Sequence, residues 1–282
     1  MSIEEKLVAI AENEPKVYKA GYDEGVKNGG GALPFEETSQ FIRCFPHTDY
    51  PFTVVANADC EVKQCGNNLF NINAIDSNRI KYDEATGLWN LPASTAGGAT
   101  AYWYGLLGDS SGNTGNTNAT YVPKLMRVPA NTTITFSIKD LKYINPTDGS
   151  EFVTTNSGAS LFNVSIYDAT GAYVKNNAML KSYVDDNGFG IMSFTTPNIE
   201  PCYLDVKKYY REYNTYFSSI QVEIGGNSQH KPYTAETYTL TANEPMEITP
   251  LNESNYLFAD NGEITVSGKL NAQIMYEALT LN

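Results

Sequence analysis

The stretch Thr133-Ile134-Thr135-Phe136-Ser137-Ile138 decides the fold class, because its side chains alternate between hydroxyl and apolar residues. In an extended chain the three apolar residues fall on one side and the three hydroxyl residues on the other. This period of two predicts a half-buried antiparallel strand. Residues 160–168 repeat the pattern, with Phe162, Val164 and Ile166 on the apolar side.

Further short candidate strands, separated by turns rich in Asn, Gly, Asp and Pro, extend over the middle of the chain. They are Leu69–Ile72, Gly87–Leu91, Thr100–Leu107, Tyr121–Val128, Tyr173–Val174, Gly190–Thr195, Cys202–Lys207 and Phe217–Ile224. Many short strands without intervening helices predict an all-β protein, an antiparallel β-sandwich of the jelly-roll type. Polar connections such as residues 108–120 are where such a sandwich carries binding function.

Composition supports this fold class and excludes two kinds of partner. Only 18% of the 282 residues are charged, and the net charge is −13, spread along the chain. A field of that sign repels phosphate backbones and anionic lipid, so we expect neither nucleic-acid binding nor membrane insertion. No apolar run approaches the length of a membrane span.

Residues 1–28 are the segment of the sequence in which a helix is clearly predicted. Its apolar positions follow the spacing of a coiled-coil seam and are Ile3, Leu7, Ile10 and Val17. A lone helix with so narrow a stripe is marginal in water, so it needs a partner. Identical copies of the chain are the simplest source, which predicts a homo-oligomer, a trimer in our interpretation. A helix packed on its own β domain, or a frayed end, remains the alternative.

Around the central domain, assigned to residues 67–240, we expect two smaller segments. Residues 29–66 begin with three glycines and are expected to form a linker and a short β segment. Residues 241–282 are expected to form a small C-terminal β unit, a hairpin around the turn Asp260-Asn261-Gly262, followed by a tail. The closing segment 274–281 fits a strand or a short helix.

Two motifs bracket the central domain. Asn67-Asn68-Leu69-Phe70-Asn71 stands at its start, and Gln221–Gly225 with Lys231-Pro232-Tyr233 stands near its end. This frame resembles the lectin-like, jelly-roll carbohydrate-binding modules of bacteriophage tail and fibre proteins. Residues 3–18 are also similar to the start of phage and prophage structural proteins. The resemblance implies a virion protein assembled in the bacterial cytoplasm, with a glycan-binding-like domain.

Catalytic motifs are missing from the sequence. Neither Gly-x-Ser-x-Gly, His-Glu-x-x-His, a Walker A loop nor a Rossmann glycine fingerprint occurs. The two histidines, His47 and His230, leave little room for acid–base or metal chemistry. The adjacent pairs Asp83/Glu84 and Asp185/Asp186 are the remaining catalytic option, but neighbours on a strand point to opposite faces. We therefore expect no enzymatic activity.

Sugar binding suits the aromatic residues better, because lectin sites stack rings on pyranoses and bond the hydroxyl groups with polar side chains. The candidate glycan contacts are Trp89, Tyr102, Trp103, Tyr104, Tyr209, Tyr210, Arg211 and Tyr213. Aromatic residues also fill sandwich cores and subunit interfaces, and that alternative stays open for each of them.

No cofactor is required for this function. The resemblance implies a structural calcium held near the first and last strands, where Asn71, Asp76 and Glu223 supply oxygen ligands. The cysteines lack a usual zinc spacing, so reduced thiols are favoured over a zinc cluster with His47. They are Cys44, Cys60, Cys65 and Cys202.

Together these patterns predict a non-enzymatic phage virion protein, in a fibre, tail, baseplate or decoration, that contacts a bacterial surface glycan. A purely structural component that binds neighbouring virion proteins is the first alternative. A polysaccharide-degrading enzyme, or an accessory module of one, is the second.

The helix prediction is tested by removing residues 1–28. We expect the full chain to sediment as a trimer and the truncated chain as a monomer, because the apolar seam at Ile3, Leu7, Ile10 and Val17 is then lost. Analytical ultracentrifugation measures both masses. A monomer in both cases would show that the helix does not assemble the protein.

Overall fold

The computed structural model describes residues 33–44, 52–75, 77–93, 104–107, 124–210, 212–226, 230–249, 251 and 255–270. The chain divides into two compact units. The terminal unit combines Met1–Asn67 with Thr234–Asn282, and the inserted unit is Asn68–Tyr233. The predicted helix at 1–28 and the closing segment 274–281 lie outside the described residues.

The described residues form twenty strands. The first ten are β1 (Leu33–Ser39), β2 (Phe41–Cys44), β3 (Phe52–Ala56), β4 (Cys60–Cys65), β5 (Lys81–Asp83), β6 (Leu88–Leu91), β7 (Tyr104–Gly105), β8 (Met126–Val128), β9 (Thr133–Lys139) and β10 (Lys142–Ile144). The others are β11 (Ser160–Tyr167), β12 (Tyr173–Leu180), β13 (Gly190–Thr195), β14 (Cys202–Lys208), β15 (Asn214–Phe217), β16 (Ser219–Ile224), β17 (Ala235–Leu240), β18 (Pro245–Ile248), β19 (Asn255–Ala259) and β20 (Ile264–Leu270).

These strands pair antiparallel, so the all-β prediction is confirmed for the described part of the chain. Short 3₁₀ helices at Ile72–Ala74 and Lys181–Tyr183 interrupt them. Among the residues described, no helix has the length and apolar character needed to cross a membrane.

The terminal unit contains two four-stranded sheets, in the orders β1-β20-β3-β18 and β17-β4-β19-β2. Alternate residues of both sheets meet in one hydrophobic core. Its members are Ile42, Phe52, Val54, Ala56, Cys60, Val62, Leu240, Ile248, Leu257, Ala259, Ile264 and Val266. Strands from both ends of the chain contribute, so the described parts of the segments 29–66 and 241–282 belong to the same two sheets.

The hairpin predicted around Asp260-Asn261-Gly262 is wrong. Strand β19 pairs with β2 and β4, whereas β20 pairs with β1 and β3, so the turn passes from one sheet to the other. The Asp260 carboxylate accepts the backbone N–H of Glu61, and the Asn57 amide oxygen accepts that of Glu263. These bonds fix the crossing, and the apolar residues of β19 and β20 meet inside the core instead of pairing side by side.

The inserted unit contains three sheets: β13-β9-β16, β12-β11-β14-β7 with β8 beside β14, and β10-β15-β6-β5. The first two sheets face each other, and the ring centroids of Phe136 in β9 and Phe162 in β11 lie 6.1 Å apart. Both rings are fully buried. The apolar side of the opening stretch therefore points into a sandwich-like core, as its alternation predicts.

The polar side of β9 is also buried, which corrects the half-buried prediction. Thr135 and Ser137 are 1% and 0% exposed. The chain after β16 folds back over them: the Thr135 hydroxyl donates to the Gly225 carbonyl at 2.7 Å, and the Ser137 hydroxyl lies 2.8 Å from His230 Nε2. Hydroxyl groups can be buried here because each has a partner.

The Asn68 side chain closes the free edge of β16. Its amide nitrogen donates to the Ile220 carbonyl at 3.1 Å, and its amide oxygen accepts the Val222 N–H at 3.2 Å. The same side chain bonds the carbonyl of Lys231 and the N–H of Phe70. A carboxamide carries one acceptor and two donors, so it replaces a peptide group of the missing neighbouring strand.

Several predicted strands of the inserted unit match the structure and others do not. Residues 190–195 form β13 as predicted, and 202–207 differ from β14 by one residue. The predicted strand Leu69–Ile72 is wrong, because this segment pairs through the Asn68 side chain and the Leu69 N–H and then enters a 3₁₀ helix. The short β5 and β10 were missed, since three residues are too few for a period to show.

Replacement of Asn68 with alanine tests the edge closure. We expect Asn68→Ala to lower the free energy of unfolding by about 3 kcal/mol, because it removes the partner of two carbonyls, of Ile220 and Lys231, and of two buried N–H groups, of Phe70 and Val222. Asn71→Ala is the matched control: that side chain is partly exposed and caps only Asn73, so the loss stays below about 1 kcal/mol. Urea unfolding measures both, and equal losses would contradict the assignment.

Candidate functional site

Five aromatic rings gather on the inserted unit. Phe152 stacks on Tyr213 with centroids 4.4 Å apart and an interplanar angle of 18°. Tyr210 contacts Phe152 at 4.9 Å and Tyr209 at 4.6 Å, and it meets Tyr143 edge-on at 5.8 Å. Four of the rings are partly exposed, whereas Tyr143 is buried and donates from its hydroxyl to the Leu161 carbonyl at 2.8 Å. We call these residues the aromatic cluster.

A buried lysine holds the chain reversal that carries three of these rings. Lys208 is 1% exposed, and its Nζ donates to the carbonyls of Tyr213 at 2.6 Å and Leu91 at 3.1 Å. Burial lowers the pKa of Lys208 to about 7, against the opposing effect of Glu212. These bonds tie the reversal between β14 and β15 to β6, so the aromatic rings stand on an anchored backbone.

A cleft of about 140 Å³ lies beside the aromatic cluster and shares two of its rings. Its walls come from β10, from the segment after it and from the turn before β13; they are Leu141, Lys142, Tyr143, Glu151, Phe152, Val153, Thr154, Leu161, Lys181, Val184, Asp185, Asp186 and Gly188. The Phe152 N–H donates to the Tyr143 carbonyl at 2.8 Å, and a β-bridge joins Ile144 to Glu151. This pairing brings together the backbones of Tyr143 and Phe152, and both of their rings contact Tyr210.

The turn at 185–188 shapes the opposite wall. Gly188 has a φ of +78°, and its N–H and carbonyl bond Asp185 and Leu141 respectively. A Cβ atom at Gly188 would lie 2.6 Å from the Leu141 nitrogen, so only glycine fits this approach. The Asp185 carboxylate accepts the N–H groups of Asn187 and Phe189, which makes it a turn residue.

Charged groups rim the cleft. Lys142, Glu151 and Asp186 are exposed, and Lys181 donates to the Val184 carbonyl at 3.3 Å. An aromatic wall with lysine and carboxylate groups around it can stack on one face of a pyranose and bond its hydroxyls. The carboxylates also permit acid–base chemistry if two of them approach one bond.

The structure brings together some of the predicted glycan contacts. Tyr209, Tyr210 and Tyr213 belong to the aromatic cluster. Trp89 lies elsewhere, on β6, where its partly exposed ring meets Tyr82 at 4.9 Å across the β5–β6 hairpin. Tyr102, Trp103 and Arg211 lie outside the described residues. For Tyr104 the structure describes only the backbone, which belongs to β7 and pairs with Lys208 of β14.

Tyr143 and Phe152 are not among the predicted glycan contacts. Each is a single aromatic residue in an unremarkable segment, whereas the tyrosines at 209–213 are crowded together. Tyr143 and Phe152 come together because β10 pairs with the chain after it. No local sequence pattern predicts this pairing. Asp83, from the other predicted carboxylate pair, is a turn residue: hydrogen bonds from Thr86 and from the Ala85 N–H lower its pKa.

Metal ligands are not assembled in the described part of the chain, where no three His, Cys, Asp or Glu side chains form a group. Of the residues implied for calcium, Asn71 caps the 3₁₀ helix and Glu223 accepts from Gln221 at 3.1 Å, while Asp76 lies outside the described residues. The calcium site stays a prediction. Cys60, Cys65 and Cys202 are buried cysteines, and burial raises the pKa of Cys202 to about 12.

His230 bridges two serines on the outer face of the β13-β9-β16 sheet. Its Nε2 lies 2.8 Å from the Ser137 hydroxyl and its Nδ1 lies 2.6 Å from that of Ser219. Burial lowers the pKa of His230 to about 4, and Lys139 adds to the shift. Ser137 is fully buried and Ser219 is partly exposed, and the two bonds hold the returning chain on the sheet.

Comparison with protein-family models gives no match, and comparison with curated proteins gives none either. Among solved structures, the infectious bursal disease virus VP2 subviral particle aligns over 85% of this chain and 81% of that chain. The sequence identity is 9% and the TM-score is 0.18. A TM-score this low carries no argument about fold or function.

The His230 site predicts a pH dependence of stability. Between a pKa of 6.5 in the unfolded chain and about 4 in the folded chain, only the unfolded state takes up the proton. The free energy of unfolding therefore falls as the pH drops through this range, by about 1 kcal/mol after allowance for solvent screening.

Urea unfolding of the wild type and of His230→Gln, each at about pH 7 and pH 4.5, measures this term. Carboxylates titrate in both proteins, so the difference between the two pH dependences isolates the histidine. Identical pH dependences would show that His230 does not titrate in this way.

Proposed function

We propose that this protein is a non-enzymatic phage virion component whose inserted unit binds a bacterial surface glycan at the cleft and the aromatic cluster. The observation that carries the proposal is the stacked pair Phe152 and Tyr213 next to a cleft rimmed by Lys142, Glu151 and Asp186. Partly exposed rings beside exposed charged groups are what a pyranose with one apolar face requires.

The virion assignment and the jelly-roll class rest on the sequence resemblance. The motif at 67–71 and the segments 221–225 and 231–233 resemble the frame of phage carbohydrate-binding modules. They meet through the Asn68 side chain, which accepts the Val222 N–H and donates to the Lys231 carbonyl. A trimer assembled by residues 1–28 would raise the avidity of a weak single-site interaction by orders of magnitude.

A purely structural role is the second candidate function. Val153 is 63% exposed at the cleft, and the neighbouring aromatic residues are the kind that anchor protein interfaces. In this case the cluster would bind a neighbouring virion protein, and no glycan would be recognised.

A polysaccharide-degrading activity is the third candidate, favoured by the three carboxylates of Glu151, Asp185 and Asp186 along one cleft. Glycoside hydrolysis needs two carboxyl groups about 5–10 Å apart. Asp185 is engaged in its own turn, so Glu151 and Asp186 are the pair that such an enzyme would use.

An array of bacterial surface polysaccharides, probed with the full-length protein, tests the proposal. We expect selective binding, and we expect Phe152→Ala to weaken it by about tenfold, or about 1.4 kcal/mol, because the stacking surface is lost. Phe152→Tyr keeps the ring and should keep the binding.

Tyr82→Ala is the matched control, because Tyr82 is an exposed aromatic residue outside the cleft. Loss of binding in Tyr82→Ala or Trp103→Ala, but not in Phe152→Ala, would move the site away from the cleft. No binding by the wild type would favour the structural role. Release of reducing sugar that disappears in Glu151→Gln would replace the proposal with the enzymatic one.

A further inference from the structure

A buried polar row lies on the face of β11 and β14 that points away from the Phe136–Phe162 contact. Lys207 and Asn163 are directly opposite each other in the register of the two strands, and Asp205 is opposite Ser165 one step along. Lys207 is 1% exposed, Asn163 is 3% exposed and Asp205 is 0% exposed. A lysine, a carboxamide and a carboxylate thus share one water-poor surface inside a sheet.

The Asn163 side chain is the unusual member of this row. Its amide oxygen is buried and has no hydrogen-bond partner among the residues that the structure describes. An unpaired buried amide oxygen costs free energy and calls for an explanation. By contrast, Ser165 and Asp205 have partners: the Ser165 hydroxyl donates to Asn176 at 2.6 Å, and Asp205 accepts the Leu107 N–H at 2.9 Å.

We propose that Lys207 and Asn163 form an intramolecular isopeptide bond, with Asp205 as the proton carrier. Directly opposed residues in an antiparallel pair have Cβ atoms about 5 Å apart, and their diagonal neighbours are about 7–8 Å apart. The four-carbon stem of a lysine spans the first distance, and Asp205 is the diagonal neighbour of Asn163 on the same face. All three groups are therefore within side-chain reach of one point.

The reaction is balanced without any other reagent. The lone pair of the uncharged Lys207 Nζ attacks Cγ of Asn163, and a new C–N bond forms. Asp205 accepts the proton from Nζ and delivers it to Nδ2 of Asn163. The old C–N bond then breaks, and ammonia leaves. Nothing is oxidised or reduced.

The surroundings suit this chemistry. Withdrawal of an amine from water favours its uncharged, nucleophilic form. Tyr167, which is fully buried, lies on the same face, and its ring centroid is 5.5 Å from the Lys207 Nζ. In the structure Nζ therefore lies at Tyr167, four residues along β11 from Asn163, and the reaction requires the lysine side chain to rotate towards Asn163. The product would link β11 to β14 covalently at the centre of their sheet.

Intact-protein mass spectrometry of the denatured full-length chain tests the proposal. We expect the wild-type mass to be about 17 Da below the sequence mass, which is the mass of the ammonia lost. Lys207→Arg keeps a long basic side chain but cannot react, and Asn163→Ala removes the electrophile, so both variants should show their full sequence mass. After proteolysis, the wild type should yield one branched peptide that joins the two residues.

Asp205→Asn separates the role of the carboxylate from its place in the sheet, since asparagine can still accept the Leu107 N–H. We expect this variant to fold, as judged by circular dichroism, and to keep its full sequence mass because proton transfer is lost. A complete mass loss in Asp205→Asn would overturn the role of Asp205. A wild-type mass equal to the sequence mass would overturn the bond itself, whether or not any variant folds.

Discussion

The inserted unit depends on how the free edge of β16 is satisfied. In the order β13-β9-β16 this strand has a sheet neighbour on one side only. Asn68 supplies a carboxamide to the other side, and the Leu69 N–H adds a bond to the Val222 carbonyl. The same amide holds the Lys231 carbonyl, so one side chain ties the beginning of the unit to its last strand and to its exit.

Closure of this edge is what allows polar residues to be buried on the outer face of the sheet. The chain that leaves β16 returns over Thr135 and Ser137, and His230 and Gly225 provide their partners. Every step in this arrangement exchanges a bond to water for a bond within the protein. Strand β9, which its alternating sequence predicts to be half-exposed, is thereby buried on both faces. The unit that carries the aromatic cluster has no open edge at β16.

The two ends of the chain build the terminal unit together: in the part of the chain that the structure describes, each end contributes two strands to each of its two sheets. Strand β3 lies between β20 and β18, and β4 lies between β17 and β19, so each sheet is completed by the other end. The Gly66 N–H donates to the Thr234 carbonyl at 3.0 Å. These two residues of the terminal unit stand just before and just after the inserted unit in the chain. A central domain can be carried in this way because its point of entry and its point of exit are adjacent.

Alternation and turn composition were sufficient to predict the all-β class, most strands of the inserted unit and the crowding of Tyr209, Tyr210 and Tyr213, because these follow from residues close together in the chain. The pairing of β19 and β20 with strands near residues 33–65, and the meeting of Phe152 with Tyr213, depend on contacts between distant segments. A repeat of two residues shows which side chains of a strand are buried. It does not show which other residues they are buried against. For that reason the core partners, the cleft and the opposition of Lys207 to Asn163 were decided by the tertiary structure alone.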